Sequence, residues 1–354
     1  MSIVIDDKKI IDINISNKNV QKIVDILTDK IIFEKTEPVS NEYFYIENAY
    51  YSSNEIVLIT KIGPDYTTGS HATQLQYSKD KETWTTIKLS GTNRIPMNSG
   101  ERVYFRNDNG FFNWFNSGSY QDYFCTEIDC TKAHKVGGNI NSLLDYNNPN
   151  VAITPYCFYQ LFDRNEYLTD ASKLIFSKTS LAESCYKEMF YGCSILKTAP
   201  TELPATTLAD DCYNSMFENC TSLTTAPKLP ATTLKYNCYY QMFSSCSELT
   251  TAPALPATTL AGDCYEKMFE YCTSLTTAPE LPATTLADYC YRYMFYGCRK
   301  LNSITVYAND VSATDCTAYW LSGVANSGTF RNLGSATYSR DVSGIPTGWT
   351  VITE

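Results

Sequence analysis

Histidine is almost missing from this chain: His71 and His134 are the only two in 354 residues. Neither lies near a plausible nucleophile in sequence, so each reads as a surface or loop residue rather than a catalytic base. No phosphate-cradling glycine loop, P-loop or dinucleotide fingerprint is present, and Gly137-Gly138 alone is a turn. Asp210, Asp211 and Asp122 beside Cys125 supply carboxylates without the context of an acid/base pair. No C-x2-C pair marks a zinc site. These absences set the expectation of a protein that is not an enzyme and needs neither cofactor nor metal.

An excess of positive charge is also lacking. The formal charge is -10 and the pI about 4.9, which argues against broad binding to nucleic acid or to anionic membranes. No apolar run reaches the roughly eighteen residues of a membrane-spanning helix, so no membrane insertion is expected. The opening Met1-Ser2-Ile3-Val4-Ile5-Asp6-Asp7-Lys8-Lys9 has no basic stretch followed by an apolar one, so no signal peptide is expected. With 44% hydrophobic and 19% charged residues the composition is globular, and the length allows more than one domain.

What the chain does have is repetition. Leu-Pro-Ala-Thr-Thr-Leu begins at Leu203, Leu229, Leu255 and Leu281, and Met-Phe recurs from Met189, Met216, Met242, Met268 and Met294 at spacings of 27, 26, 26 and 26. A fixed period of this size marks a solenoid, whose units bury their apolar sides only against their neighbours. Cys157-Phe158-Tyr159-Gln160-Leu161-Phe162 aligns with Cys185-Tyr186-Lys187-Glu188-Met189-Phe190 at an offset of 28, Asn165 standing for the second cysteine. At the far end Cys316 follows Cys290 by 26, Trp320-Leu321 replace Met294-Phe295, and Val324 replaces Cys298. The solenoid therefore has about seven units with atypical, cap-like ends.

Within one unit Cys212, Met216 and Cys220 are spaced by four, and Tyr213 and Phe217 form the adjoining row. That spacing predicts one broad helical face. The β-prone stretch from Thr221 to Pro227 predicts a short strand stacking into a parallel sheet, and Leu229 to Leu234 crosses back with threonine available as an N-cap. The expected structural ladder is Cys185, Met189, Cys193; Cys212, Met216, Cys220; Cys238, Met242, Cys246; Cys264, Met268, Cys272; and Cys290, Met294, Cys298. A helix would separate the two cysteines of a unit by roughly 12 Å, too far for a disulfide. Ladders of free thiols, cysteine acting as a small hydrophobe, are expected. Disulfides between adjacent units are the rival arrangement.

The remaining chain divides into three parts. Residues 1–38 form a short β module in which Ile11, Ile13 and Ile15 alternate with polar residues, with a turn at Asn17-Lys18-Asn19. Residues 39–150 carry runs such as Glu55 to Thr60 and Arg102 to Phe105, which predict a β-sandwich. There Ser78 to Trp84 reads as a plain hairpin with a packed Trp84. The aromatic stretch near Trp114, Phe115 and Tyr120 supplies candidate sugar-stacking rings, with burial in the core as the competing reading. The solenoid takes 151–328, and 329–354, with Gly344, Pro346 and Trp349, reads as a C-terminal cap.

The pattern C-Y-x-x-M-F-x-x-C-x-x-L-x-x-A-P, seen with few departures from Cys185 to Cys290, resembles the BspA-like leucine-rich repeats of bacterial surface proteins and of phages infecting those bacteria. The opening Ile-x-Ile-x-Asn-Lys pattern is similar to short β modules at the start of phage tail and virion proteins. The resemblance implies a leucine-rich-repeat α/β solenoid and a role in adhesion or recognition, and it names no ligand. It implies a virion location, a tail or head fibre whose N-terminal module meets other virion proteins while the β-sandwich or solenoid meets a host-surface glycan or protein. By analogy such a fibre is a homo-oligomer, commonly a trimer. An exported bacterial cell-surface adhesin and a carbohydrate-binding module are the alternatives.

Comparing the units shows where they vary. The pairs after each Cys-Tyr and Met-Phe change in size and charge, and the helical reading turns them away from the Cys/Met row. Tyr240, Gln241, Glu266, Lys267, Tyr271, Arg292, Tyr293 and Tyr296 are therefore the candidate recognition surface. A solvated face under no constraint explains the same variation, and the threonine ladder is a second candidate.

Overall fold

The computed structural model describes residues 42–62, 74–108, 124–148 and 150–353 in full, and the backbone of 2–6, 9–14, 22–25, 30–34, 114–115 and 123. The chain divides into two compact units, Met1–Asn41 and Glu42–Glu354. In the first, β1 (Ser2–Asp6) pairs antiparallel with β2 (Lys9–Asn14), and β3 (Lys22–Asp25) with β4 (Lys30–Glu34). Ile11 and Ile13 lie in β2 as their alternation requires. Ile15 and the expected turn after it lie outside the described residues.

The second unit opens with short β-branched and aromatic segments: β5 (Phe44–Asn48), β6 (Asn54–Ile62), β7 (Gln74–Ser78), β8 (Thr85–Lys88), β9 (Gly91–Met97), β10 (Arg102–Arg106), β11 (Trp114–Phe115), β12 (Tyr123–Cys130) and β13 (His134–Asn139). With β14 (Leu168–Ile175) they form a six-stranded sheet in the order β14-β13-β5-β10-β7-β8 and a four-stranded sheet in the order β11-β12-β6-β9. Side chains alternate along each strand. In β6, Ile56, Leu58 and Thr60 are buried between less buried neighbours, and in β10 Val103 and Phe105 are buried while Arg102, Tyr104 and Arg106 take the opposite face. The buried sides of both sheets join one core with the solenoid, and Phe44 meets Phe162 of the first repeat at 6.2 Å.

The six-stranded sheet leads directly into the repeats. β13 pairs in parallel with β14, and Asp170↔Thr198↔Thr225 continue as single parallel bridges. At the other end Thr277 bridges Ser303 of β15 (Ser303–Val306), which pairs in parallel with β16 (Gly328–Asn332), and that with β17 (Trp349–Thr353). The Leu-Thr-Thr-Ala-Pro segments thus stack in parallel through isolated bridges, and full strands form only toward the ends.

The helical face does not form. Among the described residues the one helical element is the 3-10 turn Ile140–Leu143. The Cys-to-Cys segment is instead a ribbon of tight turns. Met216 N–H donates to Tyr213 O and Glu218 N–H to Ser215 O, three residues back, while Ser215 N–H and Phe217 N–H donate to Tyr240 O and Met242 O of the next repeat. Alternate amides therefore close β-turns and link repeats, which pairs the backbone of the inner repeats. Every fourth residue has positive φ, as the third position of a type II turn requires: Asp211 (55°), Ser215 (53°) and Asn219 (62°), then Asn237 (51°), Gln241 (50°) and Ser245 (62°).

This geometry explains the spacing that imitated a helix. Two turns advance the ribbon by four residues and bring the side chain back to one side, so Cys212, Met216 and Cys220 all point inward at 0% exposure. An α-helix would rotate the second cysteine about 80° away from the first over the same eight residues.

Repeats stack through two ring ladders. Tyr186, Tyr213, Tyr239, Tyr265 and Tyr291 lie 5.7–6.1 Å apart with interplanar angles of 1–17°. Phe162, Phe190, Phe217, Phe243, Phe269 and Phe295 lie 5.1–5.7 Å apart. These separations approach the spacing between hydrogen-bonded strands, about 4.8 Å. Trp320 keeps the backbone register of Met294, accepting from Phe295 N–H where Met294 accepts from Phe269 N–H, but its indole takes the next place in the tyrosine ladder, 6.2 Å from Tyr291, and Tyr338 stacks beyond it at 5.8 Å. Thr317, which holds the Tyr291 register, is too small to fill that place.

All fourteen cysteines are free and buried. In the second ladder Cys193, Cys220, Cys246, Cys272 and Cys298 donate Sγ–H to the carbonyl of Phe162, Phe190, Phe217, Phe243 and Phe269 at 3.0–3.1 Å. Each of these positions thus takes a small residue that also carries a donor.

Candidate recognition face

The turn ribbon displays four columns of side chains, two after each Cys-Tyr and two after each Met-Phe. The sequence-chosen residues fall into these columns and gather over the later repeats. Lys267 Nζ lies 3.3 Å from Tyr240 Oη, over the Tyr240 ring at 5.6 Å and the Tyr293 ring at 5.9 Å. Tyr293 stacks on Tyr319 at 5.0 Å and 4°, and meets Tyr296 edge-on at 5.5 Å. Tyr296 meets Tyr271 edge-on at 5.4 Å. Tyr271 has room because its neighbour in the next repeat is Gly297 (φ 72°), where a Cβ would stand 2.6 Å from the Tyr271 ring. Gln241 lies in the Lys267 column and donates its N–H to Glu266 O.

These residues are not uniformly turned outward, which corrects the facing given by the helical reading. Glu266 is 2% exposed, so a charged slot lies inside the ribbon. Arg292 reaches it at 2.8 Å, Lys267 stands 3.7 Å from it, and Arg292 also approaches Asp263 at 3.7 Å. Burial, helped by Asp263, pushes the Glu266 carboxyl up to about 7 against the pull of Arg292. For Lys267 burial opposes the charge, but Tyr240, Glu266 and Glu270 outweigh it and raise the ammonium pKa. The exposed part is made of rings: Tyr271 and Tyr319 are 44% and 41% exposed, while Tyr240, Tyr293, Tyr296, Lys267 and Arg292 are half-buried.

Such a surface offers flat apolar rings, phenol hydroxyls and two held cations on a backbone with few unpaired groups. It can stack, donate hydrogen bonds and meet negative charge. It carries no nucleophile beside a base, and no group of metal-binding side chains occurs among the described residues. The sequence reading omitted Tyr319 and Tyr289, whose ring lies 4.4 Å from the Arg292 guanidinium. Tyr319 precedes Trp320 as Tyr293 precedes Met294, so the register at Cys316 already pointed to it.

Of the candidate sugar-stacking residues, Trp114 and Phe115 form β11 opposite Phe124 and Tyr123. Their side chains, and all of Tyr120, lie outside the described residues. The Ser78 to Trp84 hairpin closes without glycine because Lys81 adopts φ 66°, and Asp80 Oδ1 accepts the N–H groups of Glu82 and Thr83. Buried His134 is held low, at about 4, by desolvation, and its ring contacts Lys132 O and Asn165 Nδ2.

A comparison with protein-family models finds no match, and a comparison with curated proteins finds none. Among solved structures the chain is similar to a leucine-rich repeat protein of T. pallidum, with 16% identity, a TM-score of 0.30, and coverage of 63% of this chain and 84% of that one.

Proposed function

We infer that this chain is a non-enzymatic structural and recognition protein, of the tail or head fibre type, that attaches a phage particle to a host surface. The observation that supports this reading is the tyrosine cluster, in which Tyr240, Lys267, Tyr293, Tyr319, Tyr296 and Tyr271 make a chain of ring and cation contacts on a stacked scaffold. Aromatic rings with held cations are the groups that carry binding energy at recognition surfaces. The scaffold is a BspA-like leucine-rich repeat whose outer side is the turn ribbon, and the two sheets before it are a β-sandwich. The N-terminal hairpins join the particle, and the partner at the tyrosine face is a host-surface glycan or protein.

Mass spectrometry of purified particles tests the location, and absence of the chain from them overturns it. Particles carrying Tyr293→Ala with Tyr319→Ala should adsorb to host cells at least about tenfold more slowly, since each lost ring removes on the order of 1 kcal/mol of contact. Unchanged adsorption with the variant folded overturns the role of this face.

A further inference from the structure

We propose that Arg106 is the anion-binding group of a subsite for acidic glycans on the outer face of the six-stranded sheet. Strand pairing sets Arg106 opposite Gln76, with Tyr104 on the same face and Val103 and Phe105 turned into the core. The guanidinium lies 4.0 Å over the Trp84 ring and 5.6 Å from the Tyr146 ring, and its Nε donates to Gln76 Oε1 at 2.7 Å. Trp84 is itself fixed, by Nε1–H to Lys81 O at 3.3 Å and by Tyr43 edge-on at 4.7 Å, and Tyr43 lies against Tyr146 at 4.5 Å.

These contacts hold the guanidinium against the rings and engage its Nε. Among the described residues the two terminal nitrogens have no hydrogen-bond partner, and no carboxylate comes within ion-pair distance. The other arginines of this region are already spent: Arg102 on Glu47 at 2.6 Å and Arg94 on Glu55 at 2.9 Å. A guanidinium held over a ring and by its Nε, with its terminal nitrogens unpaired, is prepared for bidentate capture of a carboxylate. Lys81, 4.5 Å over Tyr104, adds a second positive charge on the same face.

The surroundings select the occupant. Two half-buried rings, Trp84 and Tyr146, flank the guanidinium, with half-buried Tyr43 packed against both, and they suit the C–H face of a sugar better than a bare inorganic anion. The net charge of -10 disfavours general polyanion binding, so recognition must come from this local geometry. A uronic acid, with a carboxylate on a hydrogen-rich ring, meets both requirements. The subsite stands apart from the tyrosine face in its residues and does not depend on it.

Titration calorimetry of the full chain with tri-galacturonate, a neutral galactose trimer and inorganic phosphate tests the proposal. The expected result is binding of the acidic trimer alone. Arg106→Gln should weaken it about tenfold or more, the value of hydrogen bonds to a charged group. Arg106→Lys should restore part of the affinity, and Arg94→Gln, which removes an arginine already paired with Glu55, should leave it unchanged. Equal binding of the neutral trimer or of phosphate, no binding of the acidic trimer, or an Arg106→Gln chain that binds as the parent does would each overturn it.

Discussion

The thiol of Cys246 donates to the carbonyl oxygen of Phe217 in the preceding repeat at 3.1 Å, and that oxygen also accepts the N–H of Cys220. The relation recurs down the second cysteine ladder, so these thiols are protonated structural donors. Burial pushes the Cys246 thiol well up from its ordinary range. In the native chain no cysteine should react with a thiol reagent, and in denaturant without reductant all fourteen should. Fewer titrated thiols would reveal disulfides between repeats. Cys246→Ala should cost about 1 kcal/mol in chemical denaturation, from the lost atom and its weak bond.

Tyr213 has the opposite character. Its ring stacks at 5.7 Å and 5.8 Å on its two neighbours, but its hydroxyl is buried without a hydrogen-bond partner, as is that of Tyr186. Tyr213→Phe keeps the stack and removes an unpaired polar atom. The melting temperature should hold or rise, by as much as about 1 kcal/mol of stability. The ladder already tolerates this change, for its first ring is Phe158, stacked on Tyr186 at 5.4 Å.

Asp163 predicts a pH dependence. Burial is the main cause that pushes its carboxyl up to about 6, with Glu127 and Glu188 adding to it and Arg164 and Lys61 opposing, and its Oδ1 has no hydrogen-bond partner. A folded pKa above the unfolded value of 3.8 favours the neutral acid. The destabilisation is therefore absent below about pH 4, grows as pH rises, and is complete above about pH 6. Asp163→Asn should melt like the parent near pH 3.5 and higher than the parent near pH 8. A gain confined to the acid side would contradict this assignment.

The repeat register was legible because each repeat has the same work to do. Cys157, Trp320 and Val324 could be placed by offset alone, and the inter-repeat hydrogen bonds keep that register. The ribbon imitates a helix in sequence because a spacing of four over only eight residues hardly separates a 3.6-residue period from one of four. Some residues with positive φ are glycine or asparagine, as at Gly192, Asn219, Asn237 and Gly297, but many, such as Lys267 (56°) and Tyr293 (54°), are not residues that announce a turn. Bonds between repeats hold them there, and no local signal records such bonds. The tyrosine cluster is legible in part, since variation between repeats marks its columns, but the burial of Glu266 is not. Its burial follows from Arg292 one repeat away, a partner that hydrophobic pattern cannot reveal.

The candidate recognition side chains stand on a ribbon of tight turns, and Gln241 at φ 50° tests this most directly. Left-handed backbone costs a residue with a side chain about 1–2 kcal/mol, which glycine avoids. Thermal and denaturant unfolding of Gln241→Gly and Gln241→Val should show the glycine variant as stable as the parent or more so, and the valine variant weaker by about 1–2 kcal/mol. A glycine variant weakened by about 1 kcal/mol beside a nearly neutral valine variant is the signature of an α-helix, and would contradict the ribbon.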